Sequence, residues 1–186
     1  GRRVLARVNG LNHEAIAAYL ELPLDKVQSL LEHVPSAKVR ERFRAVRDES
    51  GEFVMPDEFR NALIVIDEVH EFYVSGRERL PDDVEQFFAI QRHYGMDVVL
   101  ITQWYKRMHS ALRARIERKN VFQKLTAVGM ETKYRVSFWQ TLAPDKYEKI
   151  GGQTRKYDPA IFPLYKGVAD SDVQTEVYKG VQPTYV

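Results

Sequence analysis

The chain has 186 residues, 44% hydrophobic and 29% charged, and its 28 Lys and Arg against 26 Asp and Glu leave a formal net charge of +2. These values fit one globular domain with a sizeable core, and the charge balance points to no class of partner. The absence of cysteine excludes disulfides and thiolate metal sites, and no apolar run approaches the ~20 residues that a membrane helix needs.

Val4 to Val8 reads as a short strand closed by the turn pair Asn9-Gly10. Residues 12–19 then predict a helix with Asn12 as its N-cap. A second helix is expected over residues 24–34, where Leu24, Val27, Leu30, Leu31 and Val34 keep the helical period. Pro35-Ser36 caps a third, running to about residue 47, so that residues 10–60 form a helical insert. Asp48-Glu49-Ser50-Gly51 is a turn, followed by extended chain to Met55-Pro56. Leu63-Ile64-Val65-Ile66 is a continuous apolar run, as in a parallel strand buried on both faces. Residues 82–94 predict a helix, and residues 97–103 a second buried strand. Strand, helix, strand in that order is a right-handed parallel crossover. Residues 110–119 are read as a helix, with Met108, Leu112 and Ile116 spaced by four. A strand pair is expected around Gly129-Met130, over residues 121–128 and 134–140. From residue 150 the chain is expected to be irregular, laid over the core through Tyr157, Phe162 and Tyr165.

The sharpest chemical signal is the apolar run ending in Asp67-Glu68. A buried parallel strand opens at its carboxyl end into the crevice where α/β sheets bind ligands. Asp67 is placed there to hold Mg²⁺ beside nucleotide phosphates, and Glu68 to orient or deprotonate an attacking water. Together they read as a Walker B pair, against the plainer reading of a buried strand that merely ends in acids. Gln103 ends the next strand, where a polar residue senses the γ-phosphate or that water; alternatively it satisfies strand-end backbone groups. A basic segment follows, with Lys106, Arg107, Arg113, Arg115, Arg118, Lys119 and Lys124. Arg113, Arg115 or Arg118 could stabilise phosphoryl charge across a subunit contact. The same segment could contact DNA or anionic lipid, or simply solvate a helix face.

The five histidines are dispersed, which argues against a zinc site. Residues 16–34 have helix-turn-helix spacing, but Asp25 and Glu32 offset Lys26 and His33 on the second helix, which fits a packed helical hairpin better than a DNA reader. No glycine opens a G-x-x-x-x-G-K-[ST] phosphate loop. The expected fold is therefore a P-loop NTPase-like α/β domain, with a mostly parallel sheet flanked by helices, lacking the P-loop strand and helix. Those elements are expected before Gly1 in a longer parent, and this piece alone is expected to bind ATP weakly and not to hydrolyse it.

The chain resembles the N-terminal cytoplasmic domain of zonula occludens toxin and the related filamentous-phage assembly ATPases. The resemblance rests on Gly1-Arg2-Arg3-Val4 through Asn9-Gly10-Leu11, Ile64-Val65-Ile66-Asp67-Glu68, Gln91-Arg92-His93-Tyr94-Gly95-Met96-Asp97, Val99-Leu100-Ile101-Thr102-Gln103 and the closing stretch from Tyr157 to Tyr165. It implies an ATP- and Mg²⁺-dependent motor on the cytoplasmic face of the bacterial inner membrane. Such a motor works as a homo-oligomeric ring and acts on phage coat, other assembly proteins and phage single-stranded DNA. It is held by a membrane helix downstream of Val186. Asp67 and Glu68 carry over as the Walker B pair and Gln103 as the sensor, while the family's Walker A lysine has no counterpart here. Two rivals stand beside this reading: a helicase-type ATPase, because Asp67-Glu68-Val69-His70 spells a D-E-x-H box, and a non-enzymatic membrane-peripheral adaptor that binds coat or DNA.

Overall fold

A computed structural model describes residues 1–76 and 79–166. Its main body is a four-stranded parallel sheet. The strands are β1 (Val4–Arg7), β2 (Leu31–His33), β5 (Leu63–Ile66) and β6 (Asp97–Leu100), in the order β2-β1-β5-β6. A small antiparallel ribbon, β3 (Val46–Arg47) with β4 (Phe53–Val54), closes around the expected Asp48 turn. There the Asp48 carboxylate accepts from the N–H of Ser50 and of Glu52. A separate antiparallel sheet follows, β7 (Arg118–Lys124), β8 (Lys133–Ala143) and β9 (Lys146–Lys156), in sequence order.

The helices are α1 (His13–Leu20), α2 (Leu24–Leu30), α3 (Val39–Arg42), α4 (Val69–Phe72), α5 (Asp82–Ile90) and α6 (Ser110–Arg113). α1 starts as expected, with Asn12 Oδ1 accepting from Ala15 N at 3.0 Å. The connection from β1 to β2 runs one way along the sheet and that from β5 to β6 the other. Right-handed crossovers therefore place α1 and α2 on one face and α5 on the opposite one. The α5 face holds the core. Leu5, Ile64 and Ile66 point into it and meet Val34, Val39, Phe43, Phe59, Phe87, Phe88 and Leu112. Phe43, Phe59 and Phe87 pack as tilted and edge-on rings with centroids 5.1–6.3 Å apart. On the other face Ala6, Ala17 and Val27 are buried outside that cluster.

Four sequence-based expectations are corrected. The helix expected over residues 24–34 stops at Leu30, because Leu31–His33 pairs in parallel with Val4–Ala6. A three-residue stretch fits either period, and the open edge of β1 decides it. Residues 10–60 are thus not an all-helical insert; they supply a strand of the main sheet and the β3-β4 ribbon. The helix expected over residues 110–119 ends at Arg113. The Tyr147 hydroxyl donates to the carbonyls of Arg113 and Ile116, and the chain leaves as β7. Finally, the tail is not irregular from residue 150, since β9 runs to Lys156. Gly151-Gly152 reads as a loop, yet a Cβ on Gly152 would sit 2.8 Å from the Val136 carbonyl, so glycine here lets β9 approach β8. Phe162, on the short helical turn Pro159–Leu164, and Tyr165, just after it, stay exposed, and residues 167–186 lie outside the described residues.

Tyr105 fastens the antiparallel sheet to the main body. Burial, then hydrogen bonds to Asp145 and Tyr147, push its hydroxyl pKa far up, so it stays a donor to Asp145.

Candidate functional site

The parallel strands β5 and β6 run in register, Leu63 against Asp97 through Ile66 against Leu100. Equal register brings their carboxyl ends level, so that Asp67-Glu68 and Thr102-Gln103 face one another across one strand gap. The backbone continues the ladder past β5, with Asp67 N donating to Arg7 O at 2.9 Å. Arg7 itself is buried, donates to Ser36 Oγ and lies over the Phe72 ring at 5.3 Å. Beyond the apolar strands the chain turns abruptly. Glu68 adopts φ +52°, a left-handed conformation uncommon for a residue with a Cβ, and Asp67 Oδ1 accepts the Glu68 N–H at 2.9 Å. Among the described residues nothing donates to Asp67 Oδ2, and the Glu68 side chain reaches over the end of β6.

There Glu68 Oε1 accepts from Gln103 Nε2 at 3.1 Å, and Glu68 Oε2 lies 3.3 Å from His70 Nδ1. His70 Nδ1 is also 2.8 Å from Thr102 Oγ1, which accepts from Trp104 N at 3.0 Å. The His70 and Trp104 rings stack with centroids 6.2 Å apart, and Arg107 lies over the outer ring at 4.7 Å. Thus Asp67, Glu68 and Gln103 are brought together as the sequence suggested. His70, which the sequence offered only as the end of a D-E-x-H box, and Thr102, read only as part of a strand, complete the setting of Glu68. Their signal was their spacing: His70 follows Glu68 by two residues and Thr102 directly precedes Gln103, at the ends of neighbouring parallel strands.

A carboxylate pair of this kind has hard oxygens and partial exposure, which suits Mg²⁺ held largely by water and phosphate oxygens rather than by a protein cage. Among the described residues no group of three or more His, Asp or Glu could enclose a metal by itself.

The three arginines lie apart from this cluster and differ in what they do. Arg113 donates to Asp145 and to the carbonyls of Lys106 and Met108. Arg115 donates to Glu85 and to the Ala111 carbonyl. Both tie the segment after β6 to its neighbours. Arg118 is exposed at the start of β7, opposite Gln140.

β6 is also the open edge of the parallel sheet. β5 is its only partner among the described residues, and Val99 and Ile101 are each 45% exposed on the face opposite the core.

A family model described as Zonular occludens toxin (Zot) matches residues 1–172. The Gene 1 protein of Xanthomonas phage phiLf is 54% identical over 179 residues, covering 96% of this chain and 41% of that protein. The chain therefore spans less than half the length of that relative. The crystal structure of the N-terminal domain of zonular occludens toxin from Neisseria meningitidis aligns with a TM-score of 0.51 and 17% identity, over 89% of this chain and 80% of that one. At this identity the likeness bears on the fold, which is α/β and P-loop NTPase-like. The genome packaging NTPase B204 from Sulfolobus turreted icosahedral virus 2, in complex with ATP-gammaS, aligns more loosely, at TM-score 0.45 and 10% identity over 80% of this chain and 81% of that one.

Proposed function

Because the chain belongs to the zonular occludens toxin family, we propose that it is the Walker B half of an ATP-driven motor for assembly and export of filamentous phage virions through the bacterial envelope. The observation that carries this reading is the Glu68–Gln103 hydrogen bond of 3.1 Å, made beside Asp67 across the ends of two registered parallel strands. A sensor that grips the catalytic carboxylate couples the state of the nucleotide to the position of Glu68.

The roles follow from chemistry. Asp67 would hold Mg²⁺, which when bound would offset charge on the phosphates. Glu68 accepts a proton from the attacking water, and Gln103 and His70 fix its carboxylate in place. Thr102 in turn orients His70. The phosphate-binding loop comes from chain outside these 186 residues. The bare edge of β6, with Val99 and Ile101 uncovered beside it, supports this, because a further parallel strand and its helix would cover both. The motor acts as a ring on the cytoplasmic face of the inner membrane, with phage coat as its cargo. Arg118 is the arginine offered to a neighbouring site, since Arg113 and Arg115 already hold the fold together.

Calorimetry with Mg-ATP tests the reading. The 186-residue chain alone is expected to bind weakly and turn over at background rate. Joined to the upstream segment of its parent, it hydrolyses ATP; Glu68→Gln then retains bound ATP without turnover, and Asp67→Ala loses Mg²⁺-dependent binding. Tight binding with turnover by the isolated chain, or wild-type rates in both variants, would sink it. A parent without a phosphate loop would favour the non-enzymatic adaptor instead.

A further inference from the structure

The strongest unexplained feature lies in the antiparallel sheet. Residues 118–156 carry nine Lys and Arg against three Asp and Glu, in a chain whose whole net charge is +2. Five of those cations crowd the end of the sheet farthest from Tyr105 and Asp145: Lys124, Lys133, Arg135, Arg155 and Lys156. Among the described residues none of the five makes an ion pair, whereas most arginines of the main body do. Lys133 even stands directly opposite Lys156, an arrangement that costs stability unless an anion is there to relieve it.

Aromatic rings share this end. Directly opposite residues of antiparallel strands lie on one face. Lys124, Tyr134 and Arg155 therefore form one rung of that face, a ring flanked by two cations. The next rung is Phe122, Val136 and Gln153. Phe122, Tyr134, Tyr157 and Phe162 follow one another with ring centroids 6.0, 5.0 and 6.3 Å apart. The two outer rings are open to solvent, Phe122 by 65% and Phe162 by 56%.

We propose that this face, from Phe122 through Tyr134 and Tyr157 to Phe162, binds single-stranded nucleic acid. The rings stack on unpaired bases, and Lys124 and Arg155 pair with the phosphates on either side. Lys133, Arg135 and Lys156 on the reverse of the same sheet end add to the field that draws the polyanion in. A duplex could use the cations but not the rings, because its bases already stack within it. A membrane fits the surface less well. The exposed aliphatic residues Val128 and Met130 sit in the β7–β8 connection and Leu142 near the other end of the eleven-residue β8, so they form no single insertion edge.

The site stands apart from Glu68 and needs no nucleotide. Fluorescence anisotropy with a labelled oligothymidylate of about 20 nucleotides tests it. The wild-type chain is expected to bind at low salt without ATP, more tightly than it binds a duplex of equal length. Phe122→Ala should weaken oligothymidylate binding about 5- to 100-fold and leave duplex binding unchanged, while Phe122→Trp restores it. Lys124→Ala and Arg155→Ala should each lower the slope of log affinity against log salt by roughly 0.7. Lys38→Ala, a surface cation of the main body, should change nothing, and Glu68→Gln should bind as wild type. Thermal melting of each variant separates lost binding from lost folding. No saturable binding by the folded wild-type chain would overturn the proposal, as would unchanged binding in folded Phe122→Ala. Cosedimentation with phosphatidylglycerol vesicles in place of oligonucleotide binding would reassign the face to a membrane. None of these results touches the Walker B reading.

Discussion

The parallel and antiparallel sheets of this chain handle burial and charge in opposite ways. Strands of four residues in the parallel sheet hide Leu5, Ile64 and Ile66 completely and sit on a core of packed aromatic rings. The cations around that sheet are engaged: Arg2 with Asp97, Arg3 with Glu32, Arg42 with Glu32 and Glu58, Arg44 with Asp83. In the antiparallel sheet β8 and β9 have eleven residues each, yet only Val136 and Ser137 are buried, and the cations at its outer end lack carboxylate partners. Satisfied groups rigidify a fold, whereas unsatisfied surface charge and bare rings are held ready for something else. On the two proposals above, chemistry and stability belong to the first sheet and recognition to the second.

The largest expected effect would confine chemistry to the parallel sheet. In the parent protein with its phosphate loop, Glu68→Gln should lower kcat by about 10²- to 10⁴-fold, the range lost with a general base. Phe122→Ala should leave kcat in the absence of nucleic acid unchanged. A steady-state phosphate-release assay on both variants checks this, and an equal loss in the two would break the division of labour.

Stability should divide in the same way. Phe87→Ala empties the centre of the aromatic cluster and is expected to destabilise by about 3–5 kcal/mol. Phe122→Ala removes a ring that is mostly in water and should stay within about 0.5 kcal/mol of wild type. Urea unfolding measures both; a comparable cost at Phe122 would reveal a second core.

A smaller effect concerns the paired charges. The Arg42 hydrogen bond holds the Glu58 carboxyl below its ordinary pKa. For Glu32 burial opposes ionisation, but the bonds from Arg42 and Arg3 outweigh it and again lower the pKa. A carboxyl with a depressed folded-state pKa contributes stability that is present above its unfolded pKa and lost as pH falls through the folded one. Unfolding followed from about pH 6 to pH 3 should therefore show an acid-side decline that shrinks in Glu58→Gln. Both carboxylates are partly solvated, so the difference should be no more than about 1 kcal/mol. An identical decline in the variant would remove this ion network from the account of stability.

The elements legible in the sequence were those whose evidence is local. Leu63-Ile64-Val65-Ile66 is apolar at every position and could only be buried on both faces; its register with β6 then placed Asp67, Glu68 and Gln103 together. Asn12 announced α1 because a capping oxygen acts within three residues of itself. Arg113 and Arg115 differ from these. The sequence offered them for a subunit contact or a solvated helix face, and it gave no sign that Asp145 and Glu85 would arrive from distant parts of the chain to pair with them.

By itself the amino-acid sequence determined which segments must be buried, that one apolar strand ends in two carboxylates, and that no phosphate loop accompanies it, since each depends on residues adjacent in the chain. Tertiary structure alone decided that Leu31–His33 is a strand, that Gly151-Gly152 lies inside one, that His70 and Thr102 steady Glu68, and that the unpaired cations gather beside exposed rings. These outcomes turn on which partner reaches an open strand edge or an unpaired charge, and the partner lies up to dozens of residues away, where periodicity and composition carry no record of it.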